Sequence, residues 1–262
     1  MAKAYERIAD DLRQRIRAGE WSPGERLPAE TKLVEEFRKS LPTLRQALGV
    51  LQAEGLIEKQ HGRGNVVRKT RRMVTRTNER HQWEKDRARD PLEERRRTGA
   101  TEHDTGLTVS DLVFSAEYGE SEADEELAEL FGVPVGTRML ERVYRTRYRE
   151  EDAPFNVSRS WLVYETAAAN PDLLDQNKEP WPGGTQNQLL TVGIELDRVI
   201  ERVTARPPTI EETEELGLTA GVAVMVLRKT SIDTGGRVVE VAEVTLPGDR
   251  TVLEFTTPLA RW

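Results

Sequence analysis

Polar and basic side chains between residues 40 and 64 have the types and spacing that contacts with duplex DNA require. Arg45 can bind guanine or a phosphate, Gln46 can bind adenine or a phosphate, and Thr43 suits a phosphate or a thymine methyl. Arg63 stands between two glycines, which allow close approach to a phosphate backbone or a minor groove. For each residue the alternative is an ordinary solvated surface position. The candidate DNA contacts are Lys32, Lys39, Ser40, Thr43, Arg45, Gln46, His61, Gly62, Arg63 and Gly64.

Three helices and a hairpin are predicted to position these residues. Apolar residues recur at spacings of three and four over residues 5–18, which predicts a first helix, and a second is predicted to begin near residue 30. Ser40 is an N-cap candidate for a third helix that ends at Gly55. Residues 56–68 have apolar ends around a Gly-Arg-Gly tip, as in a β-hairpin. This order predicts a winged helix-turn-helix, whose third helix enters the major groove with its N-terminal end first.

The charge distribution agrees with a nucleic-acid-binding N-terminal part. The whole chain has a net charge of −7, which taken alone argues against nucleic acid. Residues 1–100, however, hold 24 Lys and Arg against 16 Asp and Glu, whereas residues 101–262 hold 15 against 30. The first part can therefore meet phosphates, while the acidic remainder would be repelled by them. A basic surface helix beside an acidic domain is the alternative explanation.

The remainder of the chain predicts an α+β domain built on an antiparallel sheet. Residues alternate in character along several segments, and Gly235-Gly236 fits a hairpin turn between the last two of them. On one such strand Arg145 and Arg147 point the same way, and together they can clamp a phosphate or a carboxylate. Cross-strand ion pairing is the alternative role for this pair. The predicted strands are residues 139–148, 155–162, 196–205, 222–232 and 238–246, and the predicted helices are 122–131 and 210–216.

Residues 5–68 resemble the N-terminal domain of GntR-family bacterial regulators. The resemblance is carried by YERIADDLRQRIRAGEWSPGERLPAE, PTLRQALGVLQAEGLIE and HGRGNVV. It extends residue by residue to Ser40, Thr43, Arg45, Gln46, His61, Gly62 and Arg63. Thr31 and Leu41 depart from the family pattern, since many relatives have a basic residue at the first position and an Arg or another polar residue at the second. The departures imply an altered operator or less direct readout of the bases.

Residues 105–258 resemble the UTRA effector domain of the HutC branch of that family, which has a chorismate-lyase-like fold. The resemblance is carried by LAELFGVPVGTRMLERVYRTR, by ARPPTIEETEELGLTAGVAVMVLRKTSIDTGGRVVEVAE and by GDR. It implies a small-molecule effector held by Arg145, Arg147, Ser160 and Glu240, and the two arginines favour an anionic one. Leu246 stands where sugar-phosphate-binding relatives often carry an aromatic residue, which argues against a sugar phosphate. Residues 170–191 are interpreted as an irregular insertion that covers the pocket.

The domain organisation expected from these patterns has three parts. Residues 1–68 are expected to form the winged helix-turn-helix DNA-binding domain, residues 69–105 a basic linker with some helical turns, and residues 106–262 the domain that binds the effector and forms a homodimer. A dimer would bind an inverted repeat, because its two copies would occupy two half-sites. Repression is the expected outcome, since a dimer on an operator blocks polymerase.

Composition restricts the other classes of function. The chain has no cysteine, which excludes disulfides and thiolate chemistry and, with no apolar signal segment, favours the cytoplasm and no membrane partner. The three histidines have no metal-ligand spacing, and no catalytic motif stands out, so neither a cofactor nor an enzyme is predicted. A lyase-like enzyme and a constitutive repressor, whose C-terminal domain only dimerises, are the alternatives to an effector-controlled regulator.

Overall fold

The chain folds into two compact units. The first, which we call the winged unit, comprises the chain up to residue 72 together with residues 207–223. The second, the sheet unit, comprises residues 73–206 and the chain from residue 224 onward. These boundaries differ from the predicted division at residues 68 and 105. The structure, a computed structural model, describes residues 3–60, 62–69 and 71–260.

The winged unit has the predicted three helices and hairpin. Leu12 from the first helix, Leu33 from the second, and Leu44 and Leu51 from the third are fully buried in one core, and Ile57 of the hairpin completes it. The two strands of the hairpin pair antiparallel. The prediction of a winged helix-turn-helix is therefore confirmed. Its elements are α1 (Ala4–Arg17), α2 (Glu30–Phe37), α3 (Leu41–Ala53), β1 (Ile57–Gln60) and β2 (Gly64–Val67).

A segment from the C-terminal half of the chain also belongs to the winged unit. Residues 207–223, which we call the arm, pass close to the C-terminal end of α3. Gly221 has a φ of +85°, and a Cβ added to it would lie 2.5 Å from the carbonyl oxygen of Ala53. Arg71 Nη2 donates to the Leu216 carbonyl at 2.8 Å. The arm is therefore fixed by a backbone approach that only glycine permits. Its helix spans Ile210–Glu215.

The sheet unit is built on six antiparallel strands in the order β4-β5-β6-β9-β8-β7. The five predicted strands are confirmed, whereas β4 was not predicted. Three short 3-10 turns lie at Val109–Asp111, Pro171–Leu174 and Gln176–Lys178. The elements are β3 (Val74–Thr77), α4 (Arg80–Arg87), α5 (Leu92–Arg97), α6 (Ala100–Thr105), β4 (Leu112–Glu122), α7 (Glu125–Phe131), β5 (Arg138–Tyr148), β6 (Asn156–Val163), α8 (Tyr164–Ala168), α9 (Gly184–Thr191), β7 (Leu196–Arg206), β8 (Val224–Asp233), β9 (Val238–Pro247) and β10 (Thr251–Glu254).

The register of the strands places several polar side chains on the same face of the sheet. Arg142 is the cross-strand partner of both Tyr118 and Ser160, and Lys229 is the partner of Glu201. Side chains of directly paired residues, and of alternate residues on one strand, lie on the same face. We call this side the polar face, and its members include Tyr118, Arg142, Tyr144, Ser160, Glu201, Lys229, Ser231 and Glu240.

Most of the predicted linker is folded into the sheet unit. Residues 74–77 form β3, which pairs parallel with β10, and residues 80–105 contain three helices. The predicted linker lacks an apolar stripe, because several of its inward side chains are charged and pair with each other. Arg80, for example, pairs with Asp104, and only 3% of that carboxylate side chain is exposed. Among the described residues, no helix is long and apolar enough to cross a membrane.

The close approach of the arm predicts a specific effect of substitution at Gly221. Gly19 is a matched control in the same unit, because its φ of +80° is similar but an added Cβ would meet nothing within 4 Å. Gly19→Ala should cost roughly 1 kcal/mol from the left-handed backbone alone. Gly221→Ala should cost at least about 2 kcal/mol, or should detach the arm, because the clash with the Ala53 carbonyl adds to that strain.

Hydrogen–deuterium exchange on the full-length chain measures this effect. We expect faster exchange of arm amides, including that of Leu216, in Gly221→Ala but not in Gly19→Ala. Equal exchange in the two variants, together with equal thermal stability, would contradict the assigned packing of the arm.

Candidate nucleic-acid interface and candidate ligand site

The N-terminal end of α3 presents polar side chains to solvent. Ser40 lies at the N-cap position, but its hydroxyl contacts the Thr43 hydroxyl at 2.9 Å instead of capping a backbone amide. The Arg45 side chain is 64% exposed, and its Nε donates to Glu30 Oε2 at 2.8 Å. Gln46, one residue further along, is exposed. Both side chains can therefore reach a partner outside the protein, and Glu30 orients the guanidinium of Arg45.

Further cations surround this end of α3. Lys32 and Lys39 are exposed, as is Arg38 in the turn between α2 and α3. Arg38 has a φ of +50°, the left-handed conformation that glycine adopts most readily. Here the turn instead carries a cation, which sequence reasoning did not assign to the candidate DNA contacts.

The hairpin tip forms a second exposed region of the winged unit. Gly62 and Gly64 have φ values of +75° and +86°, so the tip requires glycine at both positions. Arg63 between them is exposed, and its Nη1 donates to Gln60 Oε1 at 3.2 Å. Arg26 lies beside the hairpin, where its guanidinium atoms come within 3.4 Å of a Cβ built at Gly64. Sequence reasoning missed Arg26. His61 lies outside the described residues.

A buried polar cluster is centred on Arg142 of the polar face. The Arg142 residue is 1% exposed. Its Nη1 donates to Gln188 Oε1 at 2.7 Å, and its Nη2 donates to Ser160 Oγ at 2.7 Å and to Glu240 Oε1 at 3.2 Å. Burial alone would lower the pKa of Arg142, but its hydroxyl and carboxylate neighbours hold the pKa above the ordinary value. The guanidinium therefore remains charged inside the sheet unit.

Glu240 connects Arg142 with a second cation. Its Oε2 lies 2.8 Å from Lys229 Nζ and accepts a hydrogen bond from Ser231 Oγ at 3.0 Å. Burial alone would raise the pKa of Glu240, but Lys229 and Arg142 outweigh it and lower the pKa to about 2. The carboxylate is therefore ionised and hydrogen-bonded on both oxygens.

Two tyrosines and a second carboxylate extend the cluster. Oε1 of Glu179 accepts hydrogen bonds from the hydroxyls of Tyr118 and Tyr144, the latter at 3.0 Å, and from Gln188 Nε2 at 2.8 Å. Burial raises the pKa of Tyr118 to about 12 and that of Tyr144 well above its ordinary value. Both phenols are therefore protonated at neutral pH and available as donors.

The structure brings together only two of the four predicted effector contacts. Ser160 and Glu240 meet at 3.0 Å in the cluster around Arg142. Arg145 and Arg147 occupy odd-numbered positions of β5, so they lie on the opposite face. Arg145 pairs with Glu117 at 3.2 Å, and Arg147 donates to backbone carbonyls of the following turn. The predicted four-residue clamp is therefore not formed. Arg142 could have been considered from the sequence, because it lies three residues before Arg145 on the same strand. An odd separation along a strand places a side chain on the opposite face.

A second charged cluster lies beneath α4. His81 Nε2 lies 3.0 Å from Glu201 Oε1, and Arg76 lies 3.6 Å from the same oxygen. Burial alone would raise the pKa of Glu84, but Arg80 and His81 lower it to about 2. These charges balance each other without forming a metal site. Within residues 3–60, 62–69 and 71–260, no three His, Asp or Glu side chains are grouped in a way that could hold a metal ion.

The fold and the two sites together define the class of protein. The chain joins a winged helix-turn-helix to a sheet that carries a buried cluster of polar and charged side chains. This is the architecture of a DNA-binding regulator that responds to a small molecule. Residues 4–67 match the family of bacterial regulatory proteins called gntR, and residues 107–251 match the UTRA domain. The chain belongs to the GntR family of transcriptional regulators and carries its UTRA effector-binding domain.

Relatives match nearly the whole chain. The histidine utilization repressor of Klebsiella aerogenes is 26% identical over 257 residues, which cover 97% of this chain and 94% of that protein. The repressor NagR of Bacillus subtilis is 26% identical over 249 residues, 94% of this chain and 91% of NagR. These relatives are named as repressors, so a regulator is confirmed over the alternative of an enzyme.

Solved structures agree with this assignment. The crystal structure of a GntR-family transcriptional regulator has a TM-score of 0.63 and 26% sequence identity, with 98% of each chain covered. PhnF from Mycobacterium smegmatis has a TM-score of 0.53 and 20% identity, and covers 97% of this chain and 100% of its own. The likeness to PhnF shows a shared fold.

The ionised state of Glu240 predicts how stability depends on pH. The carboxyl has an ordinary pKa of 4.5 and a pKa of about 2 in the folded chain. Its stabilising contribution is therefore present above pH 4.5 and is lost as the pH falls toward 2. The shift corresponds to about 3 kcal/mol. The free energy of unfolding of Glu240→Gln should lie below that of wild type near neutral pH, and the gap should shrink as acid is added.

Urea titrations followed by tryptophan fluorescence at several pH values measure this gap. Glu243→Gln on the same strand is the matched control, because the side chain is on the opposite face and 33% exposed to water. A gap between wild type and Glu240→Gln that stays constant from neutral to acidic pH would rule out the assigned role of Glu240.

Proposed function

We propose that this protein represses transcription as a cytoplasmic homodimer that binds an inverted-repeat operator and releases it when an effector binds the Arg142 cluster. The observation that carries the proposal is that the chain has both an exposed cationic surface, formed by the N-terminal end of α3 and the hairpin tip, and a buried cluster of mixed charge around Arg142. The first suits DNA, and the second suits a small polar ligand.

Operator recognition is assigned to α3 and the hairpin. Arg45 and Gln46 are exposed near the N-terminal end of α3, the part of a recognition helix that contacts base edges. Ser40 and Thr43 lie in the same first turn and are suited to phosphates, as are Lys32 and Lys39. The hairpin is assigned to the backbone or the minor groove through His61, Gly62, Arg63 and Gly64. Arg45 would exchange Glu30 for DNA on binding.

Dimerisation is assigned to the sheet unit. Strand β7 lies at one edge of the six-stranded sheet, and Ile200 and Val203 on it are each 38% exposed. An edge strand of 11 residues with exposed β-branched side chains is suited to pairing with a second copy. Two copies would present two recognition helices, which accounts for an inverted-repeat operator.

The recognition assignment predicts a loss of operator binding in Arg45→Ala. Removing a guanidinium that contacts a guanine costs about 1–3 kcal/mol, which is roughly fivefold to a hundredfold in affinity. Arg17→Ala removes the same charge from the exposed C-terminal end of α1 and should change the affinity much less. Gel shifts would use an operator selected from random duplexes by the wild-type protein. Unchanged affinity in Arg45→Ala, or one chain bound per duplex, would contradict the proposal.

The effector assignment predicts a matched pair of serine variants. A panel of phosphorylated sugars, organic acids and other small metabolites is first screened for thermal stabilisation of the wild-type protein and for release of the operator. A compound active in both assays should lose most of its effect on Ser160→Ala, which lacks the hydroxyl bound to Arg142 and Glu240. Ser115→Ala, at an exposed position on the opposite face of the sheet, should retain it. Equal operator release in the two variants would place the effector elsewhere, and no active compound would favour a constitutive repressor.

A further inference from the structure

The carboxylate of Glu179 is held in an arrangement typical of a bound anion. Three donors converge on its Oε1, namely the hydroxyls of Tyr118 and Tyr144 and the amide of Gln188. Its Oε2 accepts from the Trp181 backbone amide at 2.6 Å. Convergent donors to one oxygen form the kind of site that binds carboxylate or phosphate groups.

The tyrosine donors lie on strands of the sheet, whereas Glu179 lies in a connecting segment. Tyr118 and Tyr144 are on neighbouring strands of the sheet and are T-shaped to each other, with ring centroids 6.2 Å apart. Glu179 lies in the segment 170–191, which was expected to be irregular but contains two 3-10 turns and α9, and it comes immediately after the turn Gln176–Lys178, whose residues are exposed. The two tyrosine donors are therefore held in place by strand pairing, whereas the carboxylate that they bind belongs to a segment that connects two strands.

The charge balance shows what could replace Glu179. The surrounding cluster holds the cations Arg142 and Lys229 and the carboxylates Glu179 and Glu240, so it is neutral as folded. Moving Glu179 away would leave an excess positive charge at a buried position, which is costly unless another anion enters. Within the described part of the chain, the buried Nε of Arg142 has no acceptor, so the guanidinium has one more hydrogen bond to offer.

We propose that the Glu179 carboxylate is an internal occupant of an oxyanion site formed by Tyr118, Tyr144 and Gln188 beside Arg142, and that the effector carries a carboxylate or phosphate group that displaces it. This inference rests on the proposed function, because it concerns the same cluster. The segment 170–191 then competes with the ligand, and the affinity measured for an external anion is the intrinsic affinity multiplied by the fraction of molecules in which Glu179 has left the site.

Removing the charge of Glu179 tests the proposal directly. Inorganic phosphate and acetate are titrated calorimetrically into the full-length protein in the absence of DNA, and the two anions distinguish a phosphate from a carboxylate ligand. Glu179→Gln should bind at least one of them about tenfold or more tightly than wild type. Asp172→Asn removes the same charge from an exposed position of the same segment and should bind like wild type. Adding Tyr144→Phe to Glu179→Gln should reverse the gain.

Several outcomes would overturn the proposal. They are equal affinity in Glu179→Gln and wild type, an equal gain in Asp172→Asn, and no binding of either anion to any variant. Because the titration contains no DNA, its failure leaves operator binding and release untouched. Conversely, an operator that no metabolite releases would refute the proposed regulation but would leave the anion site standing.

A second measurement does not depend on Glu179→Gln being stable. The chain has no cysteine, so Asn177→Cys provides a single site for a spin label on the exposed turn before Glu179. Saturation of this otherwise wild-type protein with the tighter-binding anion should increase the mobility of the label, because the segment leaves the polar face. Anion binding with an unchanged spectrum would show that Glu179 is not displaced.

Discussion

The buried guanidinium of Arg142 is the constraint on which the organisation of the sheet unit depends. An ion removed from water costs several kcal/mol unless its charge and its hydrogen bonds are compensated. Glu240 supplies the charge, Ser160 and Gln188 supply acceptors, and Lys229 balances the second oxygen of Glu240. Removing any one of these groups would leave a buried charge or donor unsatisfied, so the cluster behaves as a unit.

The same constraint determines what can cover the polar face. Apolar side chains packed over this cluster would leave its charges without hydrogen-bond partners. Two segments with polar side chains cover it instead. Residues 170–191 contribute Glu179 and Gln188, and α4 contributes the charged cluster around His81. The two covers also contact each other, since Gln186 Nε2 donates to the His81 carbonyl at 2.8 Å. Ion pairs and hydrogen bonds thus stabilise this layer beside apolar packing, since Leu173, Trp181 and Leu189 of the segment 170–191 also pack in apolar clusters with residues of the sheet.

This chemistry explains which parts of the fold could be predicted from the sequence. The winged unit and five strands follow ordinary apolar periodicity, and their positions were predicted to within a few residues. Residues 80–105 were interpreted as linker because their buried side chains are charged and carry no such signal. Strand β4 was missed for a related reason, because it is an edge strand on which only Leu112 is buried.

The candidate ligand site shows a different limit. Alternation along β5 establishes that Arg145 and Arg147 share a face, but not which face. That choice depends on the register with β6, where Arg142 pairs with Ser160, and a shift of one residue reverses every side chain. Resemblance to a family predicts which residue types lie on a strand, but it does not by itself establish which face of the sheet each side chain occupies. Ser160 and Glu240 lie in the cluster, whereas Arg145 and Arg147, which were expected beside them, lie on the opposite face, and Arg142 was not predicted.

The chain passes from the sheet unit into the winged unit and back again between β7 and β8. After β7 the chain enters the winged unit as the arm, where Gly221 passes beside the end of α3, and it then returns to begin β8. Strand β8 carries Lys229 and Ser231, both of which contact Glu240. Strand β8 therefore contributes to the charge balance at Glu240, and its first residue follows directly from the arm along the chain. Within the winged unit, Gly221 of the arm lies against the backbone of Ala53, the last residue of α3, so a displacement of the arm would also displace that end of the helix.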